Sequence, residues 1–376
     1  MKLSFEKDLL AHATDATQTM ANTSSSLPIL GNILISADDG GNVTLEASDM
    51  ESCVRCTIQA EVQQAGSITV PAKTFHSIVR ELPSGNVSLD FSSQLAEIVA
   101  GGNQYQLTTQ SPEDFPTWPD LSAVTTLTLE QKTLKRILSH VLYALPQRDP
   151  RKVLLGALFD VKDNQLTCVT TDGKKLGLSK CDLGEIEGAQ PSSAIIPGKL
   201  LNEILRNLKD EGTVRVLIGE RQVGFELDNL VYLGNRIDGI FPNYEMVIPA
   251  DFTREIRLNR ERFLNEVRRA AIISEEHNNS IIMRFEPGKI NFSSRTYEVG
   301  SFQGTIDIDY DGEAFDIAFN HIYLTESFRV IESEEVIMKI KQNTAPVVFV
   351  MPDDDSSLFL VMPIKLTDIA EFNDED

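Results

Sequence analysis

The chain has 376 residues, 41% of them apolar, and a formal net charge of −22 at pH 7. This length and apolar content predict two or three folded domains, each with a core of its own. The charge argues against nucleic-acid binding unless basic residues are concentrated on one surface, because non-specific affinity comes from lysine and arginine side chains that displace counterions.

The hydrophobic pattern predicts two helices in each third of the chain. The first helices cover residues 6–16, 129–144 and 259–273, and apolar residues at steps of three and four give each a buried face. The second helices follow Pro71 and Pro197, since the first helical turn tolerates proline. Alternating runs such as 42–47 and 87–91 predict antiparallel strands. Each third is therefore an α+β module, with antiparallel sheets and two helices on one face.

Basic charge is concentrated on these helices although the chain as a whole is acidic. Residues 257–270 hold five arginines against two glutamates, and residues 132–152 hold six lysines and arginines against Asp149. We expect Lys132, Lys135 and Arg136 to lie on the exposed face of their helix. This concentration of basic residues on the helices is compatible with nucleic-acid binding, despite the net negative charge.

Segments of the chain repeat one another at a domain-sized spacing. Residues 70–82 (VPAKTFHSIVREL) match residues 196–208 (IPGKLLNEILRNL), 126 positions later, and a weaker copy starts near Asn320, 123 positions after Pro197. A Phe-Pro pair at Phe115 returns at Phe241. A repeat of this length is a whole domain. The sequence predicts three domains, at 1–122, 123–250 and 251–366, and an acidic tail at 367–376 that is too polar to bury itself.

Motifs of the common enzyme classes are absent from the sequence. It has no glycine-rich phosphate loop, no His-Glu-x-x-His and no Gly-x-Ser-x-Gly, and its five histidines are isolated. The most polar compact segment, at 170–176, would be either a reactive site around Asp172 and Lys174 or a hairpin turn, and its Asp-Gly pair favours the turn. We expect no catalytic residue and no cofactor.

The four cysteines do not form a metal motif. Cys53 and Cys56 have metal-ligand spacing, but they lie in an alternating run, where residues three apart point to opposite faces of a strand. No second pair completes four ligands, so we expect reduced, structural cysteines and no metal. The charged amino terminus is unlike a signal peptide, and no apolar run reaches about eighteen residues, so we expect a cytoplasmic protein.

Taken together, these motifs resemble the sliding clamp family, the β subunit of bacterial DNA polymerase III, over residues 1–366. The segments that carry the resemblance are LPILGNIL (27–34), TVPAK (69–73), TDGKKL (171–176), FPNY (241–244), RAAI (269–272) and VMPIKL (361–366). The resemblance implies a head-to-tail homodimer whose six similar domains form a ring around duplex DNA, with helices inside and sheets outside. It also implies a non-catalytic processivity factor of DNA replication that acts in the cytoplasm with the nucleoid.

The resemblance implies two further sets of contacts with DNA and between copies. By position, the basic residues that would line the DNA pore or its rim are Lys73, Arg80, Arg148, Arg151, Lys152, Lys199 and Arg206. Residues 24–26 are serines where relatives carry an arginine, which weakens the case for a DNA contact there. At the seam between copies, the first-repeat residues Ile78, Tyr105 and Leu107 would meet the third-repeat residues Ile272 and Ile273 and the strand around 296–302.

The resemblance also implies a cleft that accepts short peptides from the replicative polymerase, the clamp loader and other proteins with a clamp-binding motif. Apolar groups would form the groove and a few polar groups would orient the peptide. The matching positions are Leu154, Thr171, Gly173, Lys174, Lys175, Leu176, Pro242, Met246, Val247, Asn320, Tyr323, Val361, Met362, Pro363, Ile364, Lys365 and Leu366.

The tail at 367–376 would follow directly from the wall of this cleft. Its composition favours a tail without contacts, and the alternative is that Ile369 and Phe372 occupy the groove and adjust the affinity for partners. Two other functions remain open from the sequence. One is a triplicated scaffold that binds peptides but not DNA, and the other is an acidic hydrolase that uses the region around Asp172 and Lys174.

Overall fold

A computed structural model describes residues 1–91, 95–184, 191–274, 279–296 and 299–366. The tail at 367–376 lies outside the described residues. In the first repeat, the elements are β1 (Lys2–Glu6), α1 (Lys7–Gln18), β2 (Asn32–Ala37), β3 (Asn42–Ser48), β4 (Ser52–Gln59), β5 (Glu61–Gln64), β6 (Gly66–Pro71), α2 (Ala72–Glu81), β7 (Asn86–Asp90), β8 (Leu95–Ala100) and β9 (Asn103–Thr108).

Among the residues that the structure describes, the second and third repeats show the same order of elements, without a counterpart of the short strand β5. In the second, the elements are β10 (Ala123–Glu130), α3 (Gln131–Leu142), β11 (Gly156–Lys162), β12 (Gln165–Thr171), β13 (Lys175–Asp182), β14 (Ser192–Pro197), α4 (Gly198–Asn207), β15 (Thr213–Gly219), β16 (Gln222–Leu227) and β17 (Leu230–Asn235). In the third, they are β18 (Arg254–Asn259), α5 (Arg260–Ala271), β19 (Ser280–Glu286), β20 (Lys289–Thr296), β21 (Gly300–Asp307), β22 (Phe315–Asn320), α6 (His321–Val330), β23 (Glu335–Ile340), β24 (Val347–Met351) and β25 (Asp354–Val361).

A strand precedes the first helix of every repeat, and the sequence interpretation missed it. In β1, Leu3 and Phe5 are buried while their neighbours are more exposed, which is the period-two pattern of a strand with one face on the core. The helix prediction ran into this strand, because a run of five residues is too short to separate the two periodicities. The second helices begin directly after Pro71 and Pro197, as predicted, and these two prolines are the last residues of strands β6 and β14.

The strands form four antiparallel sheets, and each of the two largest combines strands from two repeats. One eight-stranded sheet has the order β10-β15-β16-β17-β4-β3-β2-β6, and the other has the order β14-β11-β12-β13-β25-β24-β23-β18. The other two sheets have the orders β5-β1-β7-β8-β9 and β21-β20-β19-β22. The first and second repeats therefore share one continuous sheet, and the second and third share another.

Strand pairing at these two shared joints follows one rule. The first joint pairs β17 with β4, with Tyr232 opposite Val54. The second pairs β25 with β13, with Phe359 opposite Gly177. In both, the last strand of one repeat pairs with the strand of the preceding repeat that corresponds to β4. This strand is β4 itself at the first joint and β13 at the second. We call this pairing the repeat joint.

The described chain divides into two compact units. The first carries the five-stranded sheet and the eight-stranded sheet of the first joint, and α1 packs on α2 within it. The second carries the other two sheets, and α5 packs on α6 within it. In its core, the ring of Phe263 stacks on Phe328 with centroids 4.8 Å apart and meets the edge of Phe292. Such aromatic pairs add to the free energy of burial.

The cysteines are reduced. Cys53 and Cys56 are both buried in β4, and Cys168 is also buried, whereas Cys181 is half-buried. Burial raises the pKa of the Cys53 and Cys56 thiols to about 12. These groups therefore remain neutral thiols at neutral pH, which fits a structural role.

Candidate functional site

The turn between β12 and β13 forms one side of the candidate cleft. The carboxylate of Asp172 accepts backbone N–H bonds from Lys174 at 2.7 Å and from Lys175 at 2.9 Å. The Thr171 hydroxyl donates to the carbonyl of Lys175 at 2.7 Å, and Gly173 takes a φ of +86°. The prediction of a hairpin turn is confirmed. The Asp172 carboxylate accepts two backbone hydrogen bonds within the turn, which argues against a catalytic role for Asp172.

A cavity of about 130 Å³ lies beside this turn. It is bounded by three segments: the β12–β13 turn with the short helix before β11, the Phe-Pro segment after β17, and the end of β25. Most of its surface is apolar, and the basic groups stand at its margin. The residues that line it are Arg151, Leu154, Thr171, Gly173, Lys174, Lys175, Leu176, Pro242, Asn243, Tyr244, Val247, Leu360 and Met362.

Lys175 fixes one wall of the cleft. Its side chain is 6% exposed, forms an ion pair with Glu326 on α6, and has its ammonium group 5.7 Å and 5.6 Å from the ring centres of Tyr143 and Tyr323. Tyr143 donates its hydroxyl to the carbonyl of Leu176 at 3.0 Å, and burial raises its pKa. Lys175 is thus held in place by its neighbours, while Lys174 is exposed and free to meet a ligand.

Arg151 stands at the cleft margin rather than on a helix. Its backbone N–H and guanidinium bond to Asp149 at 2.8 and 2.9 Å, and one nitrogen reaches the carbonyl of Asp172 at 3.4 Å. Hydrogen bonding from Arg151 lowers the pKa of Asp149 to about 2. The resemblance assigned Arg151 to the pore or its rim, and in the structure it lines the cavity beside the β12–β13 turn. The other two loop candidates, Arg148 and Lys152, are exposed.

Some of the predicted cleft residues lie away from this cavity. The side chain of Val361 is fully buried with Phe349 and Phe359 in the core of the third repeat. Leu360, its neighbour on β25, faces the cleft instead, because side chains alternate along a strand. Asn320 caps α6 by accepting the N–H of Ile322 at 2.9 Å. The other predicted positions that do not line the cavity are Met246, Tyr323, Pro363, Ile364, Lys365 and Leu366.

Besides Arg151, three lining residues were not predicted for the cleft: Asn243, Tyr244 and Leu360. A signal for Tyr244 was present, since it follows the repeated Phe-Pro pair at the position that Trp118 takes in the first repeat. Leu360 lies two residues before Met362, so strand alternation would place both on the same face. The sequence alone did not show this, because the register of β25 was not known.

The predicted pore residues on the second helices occupy equivalent positions. Lys73 and Arg80 lie on α2, and Lys199 and Arg206 lie 126 positions later on α4, all exposed. Arg329 of α6, which the site prediction omitted, is the third-repeat counterpart of Arg80 and is also exposed. Nearby carboxylates reduce the free charge, because Arg80 pairs with Glu81 at 3.2 Å, Arg206 pairs with Glu203 at 3.2 Å, and Lys199 pairs with Asp49.

Arg136 corrects the expectation of an exposed basic face on α3. Its guanidinium donates to the hydroxyls of Ser179, Ser356 and Ser357 at 2.9 to 3.2 Å and to the carbonyl of Lys180 at 3.2 Å. These groups lie on β13 and β25, so Arg136 supports the second repeat joint instead of facing solvent. Lys135 is partly exposed and pairs with Asp210 at 2.8 Å.

The predicted seam residues lie at or near two sheet edges. Tyr105 and Leu107 are on β9, which ends the five-stranded sheet, and β21 ends the four-stranded sheet. Ile78 is half-buried on α2, whereas Ile272, directly after α5, is 77% exposed and is followed by half-buried Ile273. A strongly exposed isoleucine and an open sheet edge are each typical of an interaction surface.

Comparison with known proteins decides the family. Models of the N-terminal, central and C-terminal domains of the DNA polymerase III beta subunit match residues 1–119, 128–243 and 245–365. The beta sliding clamp of Caulobacter vibrioides is 30% identical over 374 residues, which cover 97% of this chain and 100% of the relative. The chain belongs to the beta sliding clamp family. The predicted resemblance is thereby confirmed.

Other sliding clamps agree in sequence and in structure. The beta sliding clamp of Bacillus subtilis is 27% identical over 97% of this chain and 100% of the relative. The structure of a sliding clamp from Pseudomonas aeruginosa bound to griselimycin has a TM-score of 0.93 and 25% identity, covering 97% of this chain and 100% of that one. One from Bartonella birtlesii, also bound to griselimycin, has a TM-score of 0.92 and 27% identity at the same coverage.

The sliding clamp family accounts for the triplication. The α+β fold of three repeated clamp domains is confirmed by the domain models and by these structures. Among the described residues, no helix is long and apolar enough to cross a membrane. The same residues contain no group of three or more histidine, cysteine or acidic side chains placed to hold a metal ion.

Proposed function

We propose that this chain is the sliding clamp of DNA replication, a processivity factor. Two copies close head to tail into a ring around duplex DNA. The observation that carries the proposal is the match of all three clamp domain models along one chain. The ring itself does no chemistry and acts in the cytoplasm with the nucleoid, holding the replicative polymerase on its template.

The two open sheet edges support the head-to-tail closure. β9 is the counterpart in the first repeat of β17 and β25, because Tyr105 pairs with Ile98 as Tyr232 pairs with Phe225. β21 is the counterpart of β4 and β13. The rule of the repeat joints therefore pairs β9 of one copy with β21 of the other. Such a contact is heterologous, and two of them close a ring.

The register of this seam also follows from the repeat joints. Phe302 pairs with Ser294 on β20, as Val54 pairs with Ala47 and Gly177 with Thr170. Since Val54 and Gly177 lie opposite the aromatic residues Tyr232 and Phe359, Phe302 takes the place opposite Tyr105 of the other copy. An aromatic cross-strand pair stabilises antiparallel pairing.

DNA would be held loosely by the second helices. Arg80, Arg206 and Arg329 take the same position in the three repeats, so six arginines of a dimer would surround the duplex at equivalent places. Contacts to phosphates carry no base sequence and weaken with salt, which suits a ring that has to slide. The acidic remainder of the chain disfavours binding of DNA elsewhere.

The cleft beside the β12–β13 turn is the proposed docking site for polymerase and clamp-loader peptides. Its apolar walls suit one or two large side chains, and Lys174 and Arg151 at the margin favour a peptide that also carries acidic groups. The hydrolase alternative is not favoured, because the Asp172 carboxylate is occupied by two backbone N–H groups.

Retention on DNA of different topology tests the proposal. The protein would be loaded on nicked circular DNA by its clamp loader and filtered through a sizing column in high salt. We expect it to remain with the circle and to be released when the circle is cut once. Loss from intact circles at the same salt would show electrostatic binding and contradict the ring, since electrostatic affinity falls steeply with salt.

A further inference from the structure

The first repeat contains a groove at the position that corresponds to the peptide cleft of the second. The carboxylate of Asp49 accepts backbone N–H bonds from Glu51 at 3.1 Å and Ser52 at 2.7 Å, as Asp172 does in the cleft. The N–H of Met50 donates to the Ser48 hydroxyl at 3.1 Å, matching Gly173 and Thr171. The N–H of Asn235 donates to the carbonyl of Glu51 at 2.9 Å, matching Met362 and Lys174.

This first-repeat groove encloses about 230 Å³, more than the cleft of the second repeat. For comparison, a cavity of about 150 Å³ accepts a benzene ring. Phe115 and Cys53 are buried at its floor, and Met50, Pro116 and Trp118 form its apolar walls. The groove is thus large enough for one or two apolar side chains.

Trp118 is held in a fixed position on one wall. The guanidinium of Arg55 lies 4.1 Å from the centre of its ring, and Arg55 is fixed by a 2.9 Å bond to the Glu46 carboxylate. A stacked arginine of this kind limits the motion of the indole. The wall is therefore formed before a ligand arrives, which lowers the entropy cost of binding.

Met50 is exposed where the backbone favours glycine. Its φ is +76°, close to the +86° of Gly173 at the corresponding position, and the residue is 59% exposed. A methionine in this left-handed conformation is strained relative to an ordinary backbone. Its flexible thioether side chain stands at the groove mouth, where methionines adapt to varied apolar ligands.

The charge around the groove differs in sign from that around the cleft. Glu51, Asp114 and Asp120 are exposed and are next in the chain to the lining residues Met50, Phe115 and Pro119. Among the described residues, none of these three carboxylates forms an ion pair. Glu51 stands where the cleft has Lys174. We propose that the first-repeat groove binds a short peptide that carries large apolar side chains next to lysine or arginine. The clamp would then offer two docking sites per chain with opposite charge preference.

Fluorescence of the full-length protein tests this proposal directly, because Trp118 is the single tryptophan of the sequence. The probe is the tryptophan-free peptide acetyl-Lys-Leu-Phe-Lys-amide, and its control carries glutamate in place of both lysines. We expect a saturable change in tryptophan emission with the lysine peptide and none with the glutamate peptide. Equal responses to both peptides, or no response up to millimolar concentration, would overturn the proposal.

Two variants assign the signal to the groove. Met50→Gly removes part of the wall and relieves the backbone, so it is expected to fold, and Glu51→Lys reverses the charge at the mouth. Each should weaken binding of the lysine peptide by about tenfold. The matched control is Lys162→Glu at an exposed position of β11 outside both pockets, which should leave the dissociation constant unchanged. Unchanged affinity in both groove variants, or equal weakening in the control, would place the peptide elsewhere.

Discussion

At the scale of single residues, buried polar groups hold the second unit together. His140 on α3 is 2% exposed; its Nδ1 lies 2.9 Å from the Ser357 hydroxyl, and its ring meets the edge of Phe359. Burial lowers the pKa of His140, with Arg136 adding to the effect and Glu332 and Asp354 opposing it. The neutral imidazole is therefore the form that fits the folded chain.

The stability of the second unit should fall in mild acid. The folded pKa of His140 is below its unfolded value, so the unfolded chain binds more protons and stability is lost as pH falls below about 6.5. The slope from this residue approaches at most about 1.4 kcal/mol per pH unit. Urea denaturation at pH 7.5 and 5.5 measures it, and His140→Gln should reduce the pH dependence. An identical pH dependence in parent and variant would contradict this account.

At the scale of elements, the pairing of strands could be predicted only in part from the sequence. The repeats, the helices and the turn at Asp172 were readable, because each is a local pattern. The strand that pairs with β4 at the repeat joint could not be predicted. It is β17, which lies more than 170 positions away, and nothing within residues 52–59 identifies it. The resemblance assigned Val361 to the cleft by its position alone, and the side chain lies in the core of the third repeat instead. The face of a strand follows from its register, and register is set by distant partners.

The seam register can be tested with a disulfide. Gln104 of one copy should lie opposite Gln303 of the other, so the double variant Gln104→Cys, Gln303→Cys should give covalently linked chains on mild oxidation. Background from native thiols should be low, because three are buried and burial raises the pKa of Cys181 to about 11. Non-reducing electrophoresis measures the product.

A register control accompanies this experiment. Gln104→Cys with Ser301→Cys shifts one cysteine two positions along β21 and onto a diagonal, where the separation exceeds disulfide geometry. Strong cross-linking in this control together with weak cross-linking of the opposite pair would show that the register taken from the repeat joints is wrong.

At the scale of the whole molecule, we expect the arginines of the second helices to bind DNA phosphates and the acidic remainder of the chain to disfavour binding elsewhere. Converting Arg80, Arg206 and Arg329 together to alanine should weaken binding to DNA and reduce the slope of log affinity against log salt by roughly one for each phosphate that is no longer neutralised. Salt titrations on short duplexes measure this slope. The matched control is Arg215→Ala, which removes an exposed arginine from strand β15. A slope unchanged in the triple variant would exclude these arginines from the DNA interface.

The repeat joints also determine where such a ring can come apart. Within each chain, short connectors at residues 109–122 and 236–253 link consecutive repeats. They keep the two strands of each repeat joint at a high effective concentration, so a transient break recloses. The proposed seam between β9 and β21 has similar pairing but no linker. Its closure depends on the concentration of free protein. In the proposed ring, dilution would therefore act on the two seams alone, and a loader that opened the ring would have to separate the strand pair of only one seam.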